Sequence, residues 1–133
     1  MGGNTFRKSE HLKSEILIKE LFSKGSSFHL YPFRILHKTV PNPKTPVHQV
    51  LFSVPARSFK KAVDRNKLKR RTREAYRLHK AALTANTPLI LGFVYSAKKT
   101  EPFDLIQASM VRIIDKLNTL GTASHVILKQ DYN

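Results

Sequence analysis

Residues 57–80 hold eleven Lys or Arg against two acids, Asp64 and Glu74, which concentrates +9 of the chain's formal +15 in one stretch. Side chains of this type and density neutralise phosphates, and each contact releases condensed counterions, so affinity for a nucleic acid rises steeply as salt falls. Arg adds a planar fork that grips phosphate oxygens in pairs and stacks on exposed bases. Asn66, set among the cations, brings both a donor and an acceptor for a base edge or a ribose 2′-hydroxyl. Hydrolytic chemistry of the protein's own is harder to find. The nine acids are scattered rather than clustered as a two-metal nuclease requires. The six His show neither HxH nor HExxH spacing, and GxSxG and GxxxxGK[ST] are absent. No catalytic residue and no metal ligand is assigned.

The totals agree with a binding role. A chain of 133 residues with 41% hydrophobic content suits a single domain with one ordinary core. Self-repulsion at +15 opposes compaction and points to a polyanionic partner. A membrane span needs about 20 consecutive apolar residues, and the longest runs here are a few residues. The start, "MGGNTFRKSEHLK", has no apolar signal region, and with no Cys there are no disulfides and no thiolate metal sites. The expectation is a cytoplasmic protein that works on nucleic acid.

Several elements must position these residues. Residues 1–8 read as a flexible basic tail, 9–121 as the domain, and 122–133 as a C-terminal tail in which "HVILK" forms a short strand. Ser14 caps a helix with the apolar stripe Leu17, Ile18, Leu21 and Phe22, closed by Gly25. "SFHLYPFRILHKTV" is extended, with Tyr31, Phe33 and Ile35 on one face and Leu30, Arg34 and Leu36 on the other; Pro32 breaks it or marks a sheet edge. "PNPKTP" is a loop, and "VHQVLFSV" is a strand stopped by Pro55. The stretch from Phe59 to Leu83 lacks Gly and Pro and reads as one long helix. "TPLILGFVYSA" is a strand buried on both faces. Asp104, with Gln107 three residues on, caps a last helix striped by Ile106, Met110, Ile113, Leu117 and Leu120, which Gly121 closes. The order gives an α+β fold, a single-domain α-β sandwich with helices on a small mixed sheet.

On the basic helix, about 100° per residue sets Leu68, Thr72, Ala75, His79 and Ala82 inward. Asn66, Lys69, Arg70, Arg73, Arg77 and Lys80 share the arc from about 40° to 140° measured from Arg65. Lys67, Arg71 and Glu74 lie on the far side. A solvated face normally mixes signs, because Glu and Lys four apart stabilise a helix while like charges oppose it. Here Arg65–Lys69, Lys69–Arg73 and Arg73–Arg77 are all like-charged.

The stretch "KKAVDRNKLKRRTREAYR", residues 60–77, resembles the signature of the bacterial ribonuclease P protein subunit, Ala-Val-x-Arg-Asn-x-x-Lys-Arg-x-x-Arg-Glu. Ala62, Val63, Arg65, Asn66, Lys69, Arg70, Arg73 and Glu74 match in order. "HLKSEILIKELFSKGSS" is similar to the family's N-terminal helix through Leu12, Lys13, Leu21, Phe22 and Gly25, and the flanking strands and final helix stand in the family's order. Departures are Lys67 in the Arg-Asn-Arg core, Asp64, the "PARS" stretch that leaves only Arg57 basic, Ile18 and Leu36.

The resemblance implies the family's α-β sandwich with a left-handed βαβ crossover. It implies binding to a catalytic RNA subunit and to the 5′ leader of precursor tRNA, whose removal gives the mature 5′ end. The chemistry is then expected on the RNA with its bound Mg²⁺, with no cofactor on the isolated protein, no obligate protein partner and no membrane. By the same resemblance Arg65, Asn66, Lys67, Lys69, Arg70, Arg73, Arg77, Lys60 and Lys61 face the RNA subunit. Phe22 and Phe33 stack on the leader while Lys13 and Arg57 guide its backbone. The alternative is a ribosomal or other structural RNA-binding protein without a processing role. A DNA-binding regulator would need a helix-turn-helix or paired half-sites, and a membrane-surface helix a stronger apolar face.

Overall fold

The computed structural model describes residues 5–40, 47–85 and 87–131, with side chains as far as residue 120. The "PNPKTP" loop and residues 1–4 of the expected tail lie outside the described residues. Helix α1 (Glu15–Lys24) begins where the Ser14 hydroxyl accepts from the Leu17 N–H and ends at Gly25. A Cβ on Gly25 would stand 2.4 Å from the Leu21 carbonyl oxygen, so close approach, not a left-handed backbone, requires the glycine. Strand β1 (Ser26–Leu30) turns at Tyr31–Pro32 into β2 (Phe33–Thr39), and Pro32 thus sits in the hairpin turn. Strand β3 (Gln49–Ser53), helix α2 (Ala62–His79), strand β4 (Leu89–Tyr95) and helix α3 (Phe103–Asp131) follow.

The four strands lie in the order β1-β2-β4-β3. β1–β2 and β2–β4 are antiparallel, while β3–β4 is parallel with α2 as the crossover between them. The α+β sandwich on a mixed sheet is therefore the observed architecture.

Period-two alternation divides the sheet. Phe33 and Ile35 of β2 and Leu91, Phe93 and Tyr95 of β4 point toward α2 and α3, where Leu68, Ala75, Tyr76, Ile106, Met110 and Ile113 complete the main core. Leu36 and Ile90 point the other way and pack with Leu12 and Leu21 under α1. α1 approaches closely: a Cβ on Gly92 would meet Leu21 Cδ2 at 3.2 Å. Since β4 serves two cores, its continuous apolar run is explained.

Four expectations need correction. The basic helix is shorter than Phe59–Leu83, because Phe59 is pulled into the core and Lys61 adopts an extended cap conformation. After His79 the backbone tightens into a 3₁₀ turn, Lys80–Ala82. The last helix starts at Phe103, which puts Asp104 within its first turn, and it runs through Gly121 to Asp131 in place of the expected strand. One glycine inside a helix costs about 1 kcal/mol and does not end it without a competing cap. The basic tail is anchored from residue 5 onward: Phe6 packs on the main core, and Lys8–Glu10 forms a 3₁₀ turn.

Candidate nucleic-acid interface

The cationic arc of α2 survives folding in part. Lys60, Lys61, Asn66, Lys69, Arg70 and Arg73 are exposed, and Lys67 is half-buried toward the far side. Lys60 and Lys61 stand at the positive end of the helix macrodipole, where cations are unfavourable by about 0.3–1 kcal/mol each; Asp64 in the first turn offsets part of this. Lys69 and Arg73 add like charge four residues apart. Such an arrangement works against the isolated fold, and a polyanion laid along it reverses the sign of every one of these terms.

Other cations on and around α2 are engaged by the protein itself. The Arg65 Nη1 donates to the carbonyls of Phe59 and Lys60, both at 2.8 Å, so it braces the turn that presents Lys60 and Lys61. Arg77 donates to both carboxylate oxygens of Glu74, at 3.1 and 2.5 Å. Lys80 bonds both oxygens of Glu10, at 2.7 and 2.8 Å, and the Thr5 carbonyl. Arg71, on the opposite arc, donates to the Glu101 carbonyl at 2.6 Å and ties α2 to the segment before α3. Tyr76, at about 20° on the wheel, is buried next to the cationic arc and holds α2 on Phe52 and Phe93.

The leader candidates separate. Phe22 is 46% exposed on α1 and open to a base. Phe33 is 1% exposed and packed edge-on against Phe93 and Tyr95, so the expectation that it stacks on a leader is overturned. The cause is alternation, because Phe33 shares the inward face of β2 with Ile35. Lys13 and Arg57 are both exposed. Lys13 precedes α1 and lines a cleft with Lys69 and Arg73, whereas Phe22 is near the helix's other end, about 13 Å along an ideal axis. Structure thus groups Lys13 with α2 more than with Phe22.

Some candidate residues escaped the sequence. His29 and Arg34 are paired across β1 and β2 on the sheet face that α1 covers only partly; the alternation with Leu36 was the available signal. Phe6 and His11 stand beside Arg73, and only an aromatic within the basic tail hinted at it. Burial, then the charges of Lys13 and Arg73, hold the His11 imidazole below its ordinary pKa, which favours the neutral ring. The Arg77 hydrogen bond holds the Glu74 carboxyl below its usual range. Among the described residues no group of three or more His, Asp or Glu is placed to hold a metal ion, and no helix is long and apolar enough to cross a membrane.

Comparison with known proteins bears directly on this helix and fold. The model of the family Ribonuclease P matches residues 6–118. A ribonuclease P protein component from Chlorobium phaeobacteroides is 43% identical over 83 residues, covering 60% of this chain and 57% of that protein. The one from Porphyromonas gingivalis is 38% identical over 76 residues, covering 57% and 56%. The chain thus aligns with little more than half the length of these relatives. With the component from Petrotoga mobilis it is 35% identical over 99 residues, covering 74% of this chain and 77% of the relative. Among solved structures, the RNase P protein of Staphylococcus aureus superposes with a TM-score of 0.64 at 24% identity, covering 81% of this chain and 94% of that one. That of Thermotoga maritima gives 0.65 at 20% identity, covering 80% and 96%. The shared fold and a family match spanning every element from Phe6 through most of α3 place this chain in the ribonuclease P protein family.

Proposed function

We propose that this protein is the RNA-binding subunit of a ribonuclease P ribonucleoprotein, and that it holds a catalytic RNA while that RNA removes the 5′ leader from precursor tRNA. The observation that carries the reading is the exposed set Asn66, Lys69, Arg70 and Arg73 on one arc of α2, within the stretch that the family model matches. Lys60 and Lys61 extend the surface at the helix start, and Arg65 positions them through the carbonyls of Phe59 and Lys60. Cleavage belongs to the RNA and its Mg²⁺; the protein contributes charge and shape, and no step uses a protein side chain as acid, base or nucleophile. The exposed Phe22 is the stacking platform for the leader, on the α1 side of the sheet, and His29 and Arg34 add polar groups to that sheet face. A cytoplasmic site of action accords with the substrate. A structural RNA-binding role without processing is not favoured by the family.

Reconstitution with the cognate RNA subunit tests this. Leader cleavage at low Mg²⁺ should require the protein, and Lys69→Ala with Arg70→Ala should weaken RNA-subunit binding and reduce the slope of log affinity against log salt by about 1 per lost phosphate contact. Unchanged affinity and slope in the double variant would remove the interface.

A further inference from the structure

Two clefts meet beside α2 and share His11 and Arg73 as common walls. The larger, about 480 Å³, is lined by Thr5, Phe6, His11, Arg73, Glu74 and Arg77. The smaller, about 210 Å³, continues past Lys69 and Lys13 along the β3 edge. The larger is within the range of small-ligand sites. One wall is aromatic and pre-built: the Phe6 ring centroid stands 4.3 Å from His11 and meets Phe52 and Tyr76 edge-on at 5.6 and 5.8 Å. Phe6 and His11 nonetheless remain partly exposed. Arg73 makes the lining cationic as well, while Glu74, clamped by Arg77, supplies one fixed carboxylate.

That mixture selects a ligand. A bare phosphate would gain from Arg73 and lose against Glu74. A nucleotide satisfies both ends, its phosphate on Arg73 and Lys69 and an amino or hydroxyl donor toward Glu74, with the base against Phe6 and His11. A neutral His11 stacks and can also bond a base edge. We propose that this cleft receives one unpaired nucleotide of the RNA subunit. The inference rests on the function proposed above and adds an aromatic, base-stacking pocket to a surface otherwise read through its cations and Asn66. The RNA subunit is favoured over the leader because Arg73, a shared wall, belongs to the α2 arc, whereas Phe22 lies on α1 across the sheet.

The test is binding of the full chain to its cognate RNA subunit over a salt series. His11→Ala should lower affinity about tenfold, roughly one base–aromatic stack, with the salt slope unchanged, and His11→Phe should restore it. Phe6→Leu, which keeps apolar packing against Phe52 and Tyr76, should also weaken binding at unchanged slope. Thermal melts establish that each variant folds. No loss in His11→Ala, or a loss that alters the slope and is not restored by His11→Phe, overturns the pocket. So does a loss confined to precursor tRNA carrying a leader, measured against leaderless tRNA. If Lys69→Ala and Arg70→Ala weaken RNA binding while His11→Ala does not, the pocket fails and the proposed function stands. If those two lysine and arginine changes have no effect, the function itself fails.

Discussion

Around the start of helix α2, Lys60, Lys61, Lys69 and Arg70 are exposed, whereas at its end Arg77 is bonded to Glu74 and Lys80, just past the helix, is bonded to Glu10. The charges are alike, but the surroundings differ. The N-terminal segment folds across the end of the helix, bringing Glu10 to Lys80 and shielding both, with side chains 10% and 13% exposed. Among the described residues, nothing comparable covers the first half. A cation that answers to the protein's own acid stabilises the fold; one left facing water among other cations is open to an external anion. The difference teaches that charge density marks a helix as interesting without saying which of its residues touch a partner.

The sharpest way to break that contrast extends it to aromatics. Phe33→Ala should cost about 3–5 kcal/mol of folding free energy, since a buried ring leaves a cavity. Phe22→Ala should change stability by well under that and instead weaken leader binding. Urea unfolding of the two variants, beside binding to precursor tRNA with and without a leader, decides it. A stable Phe33→Ala protein would show that the core has been misassigned.

Next in size is the end of α2 itself. Lys80→Ala removes the cationic partner of the mostly shielded Glu10 carboxylate, leaving it the Arg7 N–H, and should cost about 3 kcal/mol, the low end for breaking a buried pair. Its effect on RNA affinity should follow lost folding only. In contrast, Lys69→Ala should leave stability within about 0.5 kcal/mol, or raise it by relieving repulsion from Arg73, while binding weakens. Chemical denaturation and a salt-dependent binding series on both variants give the comparison. Equal destabilisation by the two changes would erase the distinction between the halves of the helix.

The smallest expected effect concerns pH. His48 Nδ1 accepts the Leu89 N–H at 3.0 Å, which requires that nitrogen unprotonated, and burial holds the His48 pKa below 6.5. Burial does the same at His37. A depressed folded-state pKa means that the unfolded chain takes up protons first. The stability these groups contribute is present above about pH 6.5 and is lost as pH falls from there through the folded-state values. His48→Asn, whose amide oxygen can replace the acceptor, should flatten this part of the stability profile in urea melts at stepped pH. A profile as steep as the parent's would reassign the effect to other groups.

Much of the architecture was legible because it depends on short-range patterns. The Ser14 cap, the helix end at Gly25, the stop at Pro55 and the doubly buried "LILGFVY" strand all follow from local sterics or from a period of two. Helix ends were less legible, since Phe59 reads as a good helical residue until the core takes it, and Gly121 reads as a terminator until nothing competes for it. At the interface, the arc of Asn66, Lys69, Arg70 and Arg73 came from the 100° step alone. The i,i+3 pairing of Arg77 with Glu74 is of the same local kind, but the engagement of Arg65 and Lys80 is not, because their partners come from the folded turn before the helix and from a distant segment.

The sequence by itself determined that a basic amphipathic helix sits among strands and presents its charge on one side, because helical periodicity and side-chain chemistry are properties of neighbouring residues. Tertiary structure alone decided that Phe33 is sealed, that Glu10 neutralises Lys80 across seventy residues of chain, and that Phe6 and His11 stand against Arg73. Those outcomes depend on which surfaces the sheet brings face to face, and a linear pattern carries no measure of that distance.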